Sequence, residues 1–406
     1  MNKLQGKQVT RLVILFAATY MVSYITRINY GAIIEELIES TGHTEALLSL
    51  AVTGSFITYG VGQIISGLIG DHFSPKKLVT IGLCVSVLMN LLIPFCQNPY
   101  QMAGAWCVNG FAQSFLWPPM VRILTTLLTT TDYKRASAKI SWGSSIGTIV
   151  VYLTAPLLIT TLGWKAVFFA SAGCGVVMIG IWNRFSYELP KAEQPKDTAA
   201  TTAPKKSAAA LFTPLMLFVM LAIILQGMLR DGVTTWMPTL VSETYDLGSS
   251  ISILTGVVLP LFGILCFQIG TRLYMKVFTN PMICAGVFFG AGALAAGGLC
   301  LLNGVHPIFS VVFSAMLTGC MHGVNLILIC MIPPFFAKYG IISTASGVLN
   351  SCTYVGSALS TYGVALLSKQ LGWSYTLLIW LAIALCGALI CLICAKPWKR
   401  QFPTEA

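Results

Sequence analysis

The sequence predicts an all-α membrane protein with twelve transmembrane helices in two six-helix bundles. Three observations predict it. The 406 residues are 56% hydrophobic and only 9% charged, whereas a soluble protein carries roughly 25% charged residues. Apolar residues gather into twelve stretches, each near the about 20 residues that a bilayer crossing needs: 11–37, 46–70, 78–96, 101–128, 139–161, 165–184, 211–239, 250–271, 281–302, 307–335, 344–368 and 373–395. A polar stretch, 185–209, separates the first six from the last six. The expected division is therefore a bundle over 1–184, a linker over 185–209 and a second bundle over 210–406.

Each element has its reason. The first stretch is too long for a cleavable signal and ends without a small-residue cleavage site. The linker, rich in Ala, Thr, Pro and Lys, cannot bury an apolar face and is expected to be flexible and cytoplasmic. Motifs recur across it. Leu162-Gly163-Trp164 opens the sixth segment and Leu371-Gly372-Trp373 the twelfth; Pro118-Pro119 lies in the fourth and Pro333-Pro334 in the tenth. Arg27 and Arg230, the third such pair, lie 203 residues apart, beside offsets of 209 and 215 for the other two. Three features in register indicate a duplicated six-helix unit.

The net charge of +11 does not mark a nucleic-acid binder. With both termini cytoplasmic, Lys3, Lys7, Arg11, Lys76, Lys77, Lys134, Arg135, Lys139, Arg184, Arg272, Lys276, Lys338, Lys396, Lys399 and Arg400 fall inside, while only Lys165 and Lys369 fall outside. That is the asymmetry of the positive-inside rule. The thirteen cysteines lie almost entirely within predicted helices and read as small hydrophobes. Cys391-x-x-Cys394 lacks a partner pair, so no metal and no cofactor is expected.

The residues that carry chemistry are the charged and polar ones at membrane depth. An arginine there costs at least ~2.5–3.5 kcal/mol, and its planar fork suits carboxylate or phosphate. In TYMVSYITRINYG, helical spacing puts Tyr20, Tyr24 and Arg27 on one face, with Asn29 and Tyr30 adding polarity nearby. In LQGMLRDGVTTWMPT, Gln226 and Thr234 flank Arg230, and Gly227 and Gly232 permit close helix approach. Asp231 lies about 100° round the helix from Arg230, an offset that argues against a face-to-face pair. It is left to pair with another helix, cap a break or titrate. Tyr59 and Gln63, one turn apart in the second segment, donate to the same anion or simply bond between helices. His322, Asn325 and Tyr354 are further candidates. Asp71, in GLIGDHFSPKK, sits at the cytoplasmic edge of the second segment and suits a gate. A cleft with two arginines binds an anion.

GLIGDHFSPKK resembles the cytoplasmic loop signature of major facilitator transporters, with His72 where an arginine is usual. LRDGVTTWMPT, SFITYGVGQIISGLIGD and Trp117-Pro118-Pro119 resemble the organophosphate:phosphate antiporter family, over essentially the whole chain. That resemblance implies that Arg27 and Arg230 clamp a phosphate group. Two family cations are absent, since Gln63 stands in place of a second-helix lysine and Ile146 in place of a fifth-helix histidine. It further implies a monomer in a bacterial inner membrane, exchanging an organophosphate for phosphate by alternating access. Repulsion between two empty cations would favour such exchange. Two alternatives stand beside it. One is proton-coupled symport of a sugar acid through Asp231; the other is a sugar-phosphate sensor, as some relatives are. No nucleophile elbow, catalytic dyad or phosphate loop points to an enzyme.

Overall fold

A computed structural model describes residues 3–189, 208–246 and 257–402. The greater part of the expected flexible linker, and the start of the eighth predicted segment, lie outside the described residues. Among the described residues fourteen α-helices follow one another: α1 (Lys7–Ala32), α2 (Ile34–Thr41), α3 (Glu45–Gly70), α4 (Pro75–Leu92), α5 (Pro99–Gln113), α6 (Trp117–Leu127), α7 (Thr130–Leu162), α8 (Trp164–Phe185), α9 (Pro214–Tyr245), α10 (Val258–Lys276), α11 (Pro281–Leu302), α12 (Pro307–Asn325), α13 (Ile342–Leu371) and α14 (Trp373–Gln401). No strand occurs among the described residues. Ten of the described helical stretches are long and apolar enough to cross a membrane. Hydrocarbon leaves backbone polar groups without water, so an all-helical chain is the expected solution.

Helix starts follow from local chemistry. Five pair a capping side chain with a proline at the first helical position: Ser74-Pro75, Asn98-Pro99, Thr213-Pro214, Asn280-Pro281 and His306-Pro307. The cap accepts an otherwise orphaned N–H, as Asn98 does from Gln101 at 2.9 Å, while proline has no N–H to lose. Three predicted segments are interrupted. The first breaks at Ile33, giving α1 and the short α2, and α2 ends on left-handed Gly42. The fourth is made by α5 and α6, because Pro118 and Pro119 start a new helix at Trp117. The tenth ends its regular helix at Asn325, then widens into a fully buried π-turn, Leu326–Cys330.

The chain divides into two compact units, Met1–Ala210 with Pro333–Ser351, and Leu211–Ile332 with Cys352–Ala406. Each is held by close helix crossings. In unit 1, a Cβ at Gly143 or Gly147 of α7 would run into the Ala17 or Met21 carbonyl oxygen of α1. In unit 2, one at Gly227 of α9 would meet the Thr353 carbonyl, and one at Gly356 of α13 the Ile224 carbonyl. Small residues at such crossings let helix backbones pack without a side chain between them. Both units also use the same corner. Gly163 joins α7 to α8 with φ 80°, ψ 166°, and Gly372 joins α13 to α14 with φ 82°, ψ 171°. That region of backbone space belongs essentially to glycine, which explains the repeated Leu-Gly-Trp motif.

All thirteen cysteines are free thiols; Cys174 and Cys386 are exposed rather than buried, contrary to their reading as interior hydrophobes. We predict that Gly163→Ala and Gly372→Ala each lower stability by about 1–3 kcal/mol. Thermal unfolding in detergent checks this, with Gly173→Ala, on an open helix face, as the near-neutral control.

Candidate functional site

In unit 1 the site is built from α1, α3 and the start of α6. The guanidinium of Arg27 lies over the rings of Tyr24 and Tyr59, 4.2 and 4.7 Å from their centroids. Tyr24 packs edge-on against Tyr20 at 5.2 Å, and Tyr20 meets Trp117 at 5.1 Å. The expected face of Tyr20, Tyr24 and Arg27 is therefore real, and Trp117 extends it. Aromatic faces carry the negative side of their quadrupole and attract a cation by about 0.5–2 kcal/mol, more when dry. Gln63 is fully buried; its amide reaches the Ser114 carbonyl at 3.5 Å, and its Oε1 has no hydrogen-bond partner among the described residues. It is committed to α5 packing, one turn from Tyr59. Ile146 is 40% exposed and brings no charge.

Asn29 and Tyr30 turn away from that face into the bundle. Tyr30 packs on Trp106 at 5.2 Å. Asn29 belongs to a buried polar hub that joins four helices and that no sequence pattern announced. Its amide donates to Asn90 at 2.8 Å and Ser171 at 3.0 Å. Asn90 and Asn109 both donate to the Thr26 carbonyl, at 2.9 and 3.0 Å. Gln113 bonds the Thr26 hydroxyl at 2.8 Å and the Ser86 hydroxyl at 2.7 Å, and Ser86 bonds Asn109 at 2.7 Å. Thr26 precedes Arg27, so the hub fixes the register of α1 where the arginine emerges.

In unit 2, Arg230 and Asp231 form a forked ion pair. Nε donates to Oδ1 at 2.6 Å and Nη2 to Oδ2 at 2.8 Å. This corrects the expectation from the 100° offset. The backbone vectors do diverge, but the long arginine side chain swings back across that arc and meets the short carboxylate. Ser357 of α13 also donates to Oδ2 of Asp231. Gln226 is fully buried, with its amide on the Met321 carbonyl at 3.2 Å. His322 lies within electrostatic reach of the pair. Its Nδ1 is 2.9 Å from the Thr318 carbonyl, and a carbonyl only accepts, so Nδ1 carries the proton. Its ring meets Phe267 edge-on at 5.4 Å. Asn325 is half-buried at the last turn of α12, and Tyr354 is buried on α13.

Asp71 lies one residue past α3, within unit 1. It accepts the backbone N–H groups of Ser343 and Thr344, each at 2.8 Å, and the Thr344 hydroxyl at 2.7 Å. It thus caps the beginning of α13, where orphan N–H groups and the helix dipole favour an anion. Burial pushes its carboxyl above the usual range, while hydrogen bonds from Thr344 and Ser343 and the charge of Arg122 pull it back.

An all-helical, multi-pass membrane fold with repeated motifs in its two halves and a half-buried arginine in an apolar helix of each defines a class of transport proteins. Residues 16–361 match the Major Facilitator Superfamily, and the chain belongs to that family. Its fold is the major facilitator fold: the proton:xylose symporter XylE matches 98% of this chain and 96% of its own, with a TM-score of 0.76 at 12% identity. The membrane sensor protein UhpC of Escherichia coli is 22% identical over 95% of this chain and 91% of its own length. A probable hexose phosphate transport protein of Chlamydia pneumoniae is 25% identical over 39% of this chain and 36% of its own. These relatives carry the resemblance to the organophosphate:phosphate antiporter family.

Two outcomes are expected of the packing. Asp71→Ala leaves two buried N–H groups without their acceptor and lowers stability by about 1–3 kcal/mol. Asn90→Ala opens the hub and costs about 0.6–1.7 kcal/mol, from the average to the largest value for a hydrogen bond between membrane helices. Thermal unfolding of each variant in detergent checks both.

Proposed function

We propose that the protein is a secondary transporter of a small organic anion, an organophosphate taken in exchange for inorganic phosphate, in a bacterial inner membrane. The observation that carries this reading is Arg27, an arginine in an apolar span held between two tyrosine faces, matched by Arg230 at the corresponding place in the second half. On this reading the substrate-binding residues are Arg27, with Tyr20, Tyr24 and Tyr59, and Arg230, with Gln226, His322, Asn325 and Tyr354. Asp71 serves a gate. The chain works as a monomer and catalyses no reaction.

Alternating access follows from the charge. Arg27 stays cationic in apolar surroundings when substrate leaves; tyrosine faces offset part of that cost, and a bound anion offsets more. Return with phosphate is therefore favoured over return empty. Because Asp231 neutralises Arg230, repulsion between two bare cations is not the source of exchange. The relatives described as hexose phosphate transporters support a phosphorylated cargo. The likeness to a protein described as a membrane sensor, over 95% of this chain, supports a second reading, ligand binding that signals without transport.

Liposomes loaded with unlabelled phosphate separate the two. Exchange is expected to give uptake of labelled phosphate in the wild type. Arg27→Lys and Arg230→Lys are expected to lower it by at least about tenfold, since lysine keeps the charge and loses the fork. Phosphate binding with no uptake would overturn transport in favour of sensing.

A further inference from the structure

Within unit 1, the cytoplasmic end of the seam between α1 and α7 carries positive charge that the protein itself does not answer. Gly143 of α7 packs on the Ala17 carbonyl of α1, and Gly147 on that of Met21, so the two helices run parallel. Carried back along both helices, that register sets Arg135 and Lys139 level with Val9 and Val13, beside Lys7 and Arg11. At about 100° per residue, Lys7 and Arg11 lie roughly 80–120° round from Ala17. Arg135 and Lys139 lie about 40–80° round from Gly143 in the opposite sense. For parallel helices that face each other, opposite senses bring both pairs to the same side of the seam. Arg27 falls about 200° round from Lys7, on the other flank of α1.

All four side chains are exposed. Among the described residues none of them makes an ion pair or a side-chain hydrogen bond. Other cations of unit 1 are occupied: Lys3 donates to the Thr125 and Thr126 carbonyls, and Arg122 to those of Gly70 and Phe73. Asp132, the acid at the start of α7, accepts the Thr129 hydroxyl at 2.8 Å. One turn further into the membrane both stripes become apolar. Ile14, 63% exposed, continues the line of Lys7 and Arg11, while Trp142 and the exposed Ile146 continue that of Arg135 and Lys139. The positive-inside rule puts cations at this end of the spans. It does not require two pairs abreast, each followed at similar depth by apolar side chains left uncovered.

We propose that this end of the α1–α7 seam seats an anionic phospholipid of the cytoplasmic leaflet. The headgroup phosphate lies among Lys7, Arg11, Arg135 and Lys139, and an acyl chain runs along Ile14 and Trp142. A soluble phosphate would match the four cations but leave the apolar side chains below them uncovered, and a lipid matches both. Basic pockets between membrane helices hold acidic headgroups in this way, and indole rings favour the headgroup boundary.

The test uses the full chain purified in a mild detergent, with phosphatidylglycerol or phosphatidylcholine of identical chains added. Lipid retention in native mass spectrometry and thermal stabilisation are both read. The wild type is expected to prefer phosphatidylglycerol by about tenfold or more, since each cation close to an anionic headgroup adds severalfold to binding. Lys7→Gln with Arg11→Gln, and separately Arg135→Gln with Lys139→Gln, are each expected to lower phosphatidylglycerol binding by roughly tenfold. Arg272→Gln with Lys276→Gln, which removes an exposed pair at the end of α10, is expected to leave it unchanged. Position is read without altering charge. Phosphatidylglycerol brominated along its chains is expected to quench wild-type tryptophan emission more than brominated phosphatidylcholine, and the excess to disappear in Trp142→Phe. The wild-type comparisons stand even if a double variant fails to fold. Equal retention of the two lipids, an unchanged preference in either seam variant, or an equal loss in the α10 variant would overturn the proposal. So would quenching that survives in Trp142→Phe, or displacement of the lipid by glycerol phosphate, which would mark a site for a soluble anion.

Discussion

A positive charge inside hydrocarbon has to be answered locally, and the two halves of this duplicated chain answer it differently. Unit 1 sets the faces of Tyr24 and Tyr59 against Arg27, ring partners that attract a cation through their quadrupole. Unit 2 gives Arg230 a carboxylate from the next residue, which cancels its charge. The placement of neighbouring side chains follows from these choices. Tyr20 and Trp117 buttress the aromatic face, Ser357 secures the carboxylate, and the Thr26 hub fixes the helix from which Arg27 projects. Each unit thus answers its arginine with different side-chain chemistry, aromatic faces in one and a carboxylate in the other.

The backbone repeat itself rests on small residues. Helices α1 and α7 in one unit, and α9 and α13 in the other, approach until a methyl group would strike a carbonyl oxygen. In lipid the hydrophobic effect does little to hold helices together, so such contacts and interhelical hydrogen bonds carry the packing. The matched glycine corners at Gly163 and Gly372 then return the chain with the same geometry twice.

Sequence periodicity read the helices well because each crossing must be about 20 apolar residues long, and it read the Tyr20–Tyr24–Arg27 face because helical spacing is nearly invariant. It failed where side-chain reach or tertiary partners decide. The 100° offset between Arg230 and Asp231 describes Cβ directions and says nothing of where a four-bond stem can swing. The break in the fourth segment was signalled by Trp117-Pro118-Pro119, but apolar length alone runs straight through it. Asn90, Asn109 and Gln113 sit on separate segments with no shared spacing, so their meeting at Thr26 exists only in three dimensions. Nor does any local pattern indicate that Pro333–Ser351, from the second half of the chain, groups with unit 1, or that Ser343 and Thr344 supply the partners of Asp71.

The hub at Thr26 bears on biogenesis. Helix α5 carries Asn109 and Gln113, each fully desolvated in the folded protein, and α4 carries Asn90. A helix released singly into lipid would expose those amides to hydrocarbon at a cost of several kcal/mol for each unsatisfied group. Their acceptors on α1 and α4 are already synthesised when α5 emerges. Membrane entry of α5 is therefore tied to its capture by earlier helices. The first half of the chain is predisposed to assemble as a cohort at the insertion machinery, leaving it as a joined set and not as separate spans that find one another later.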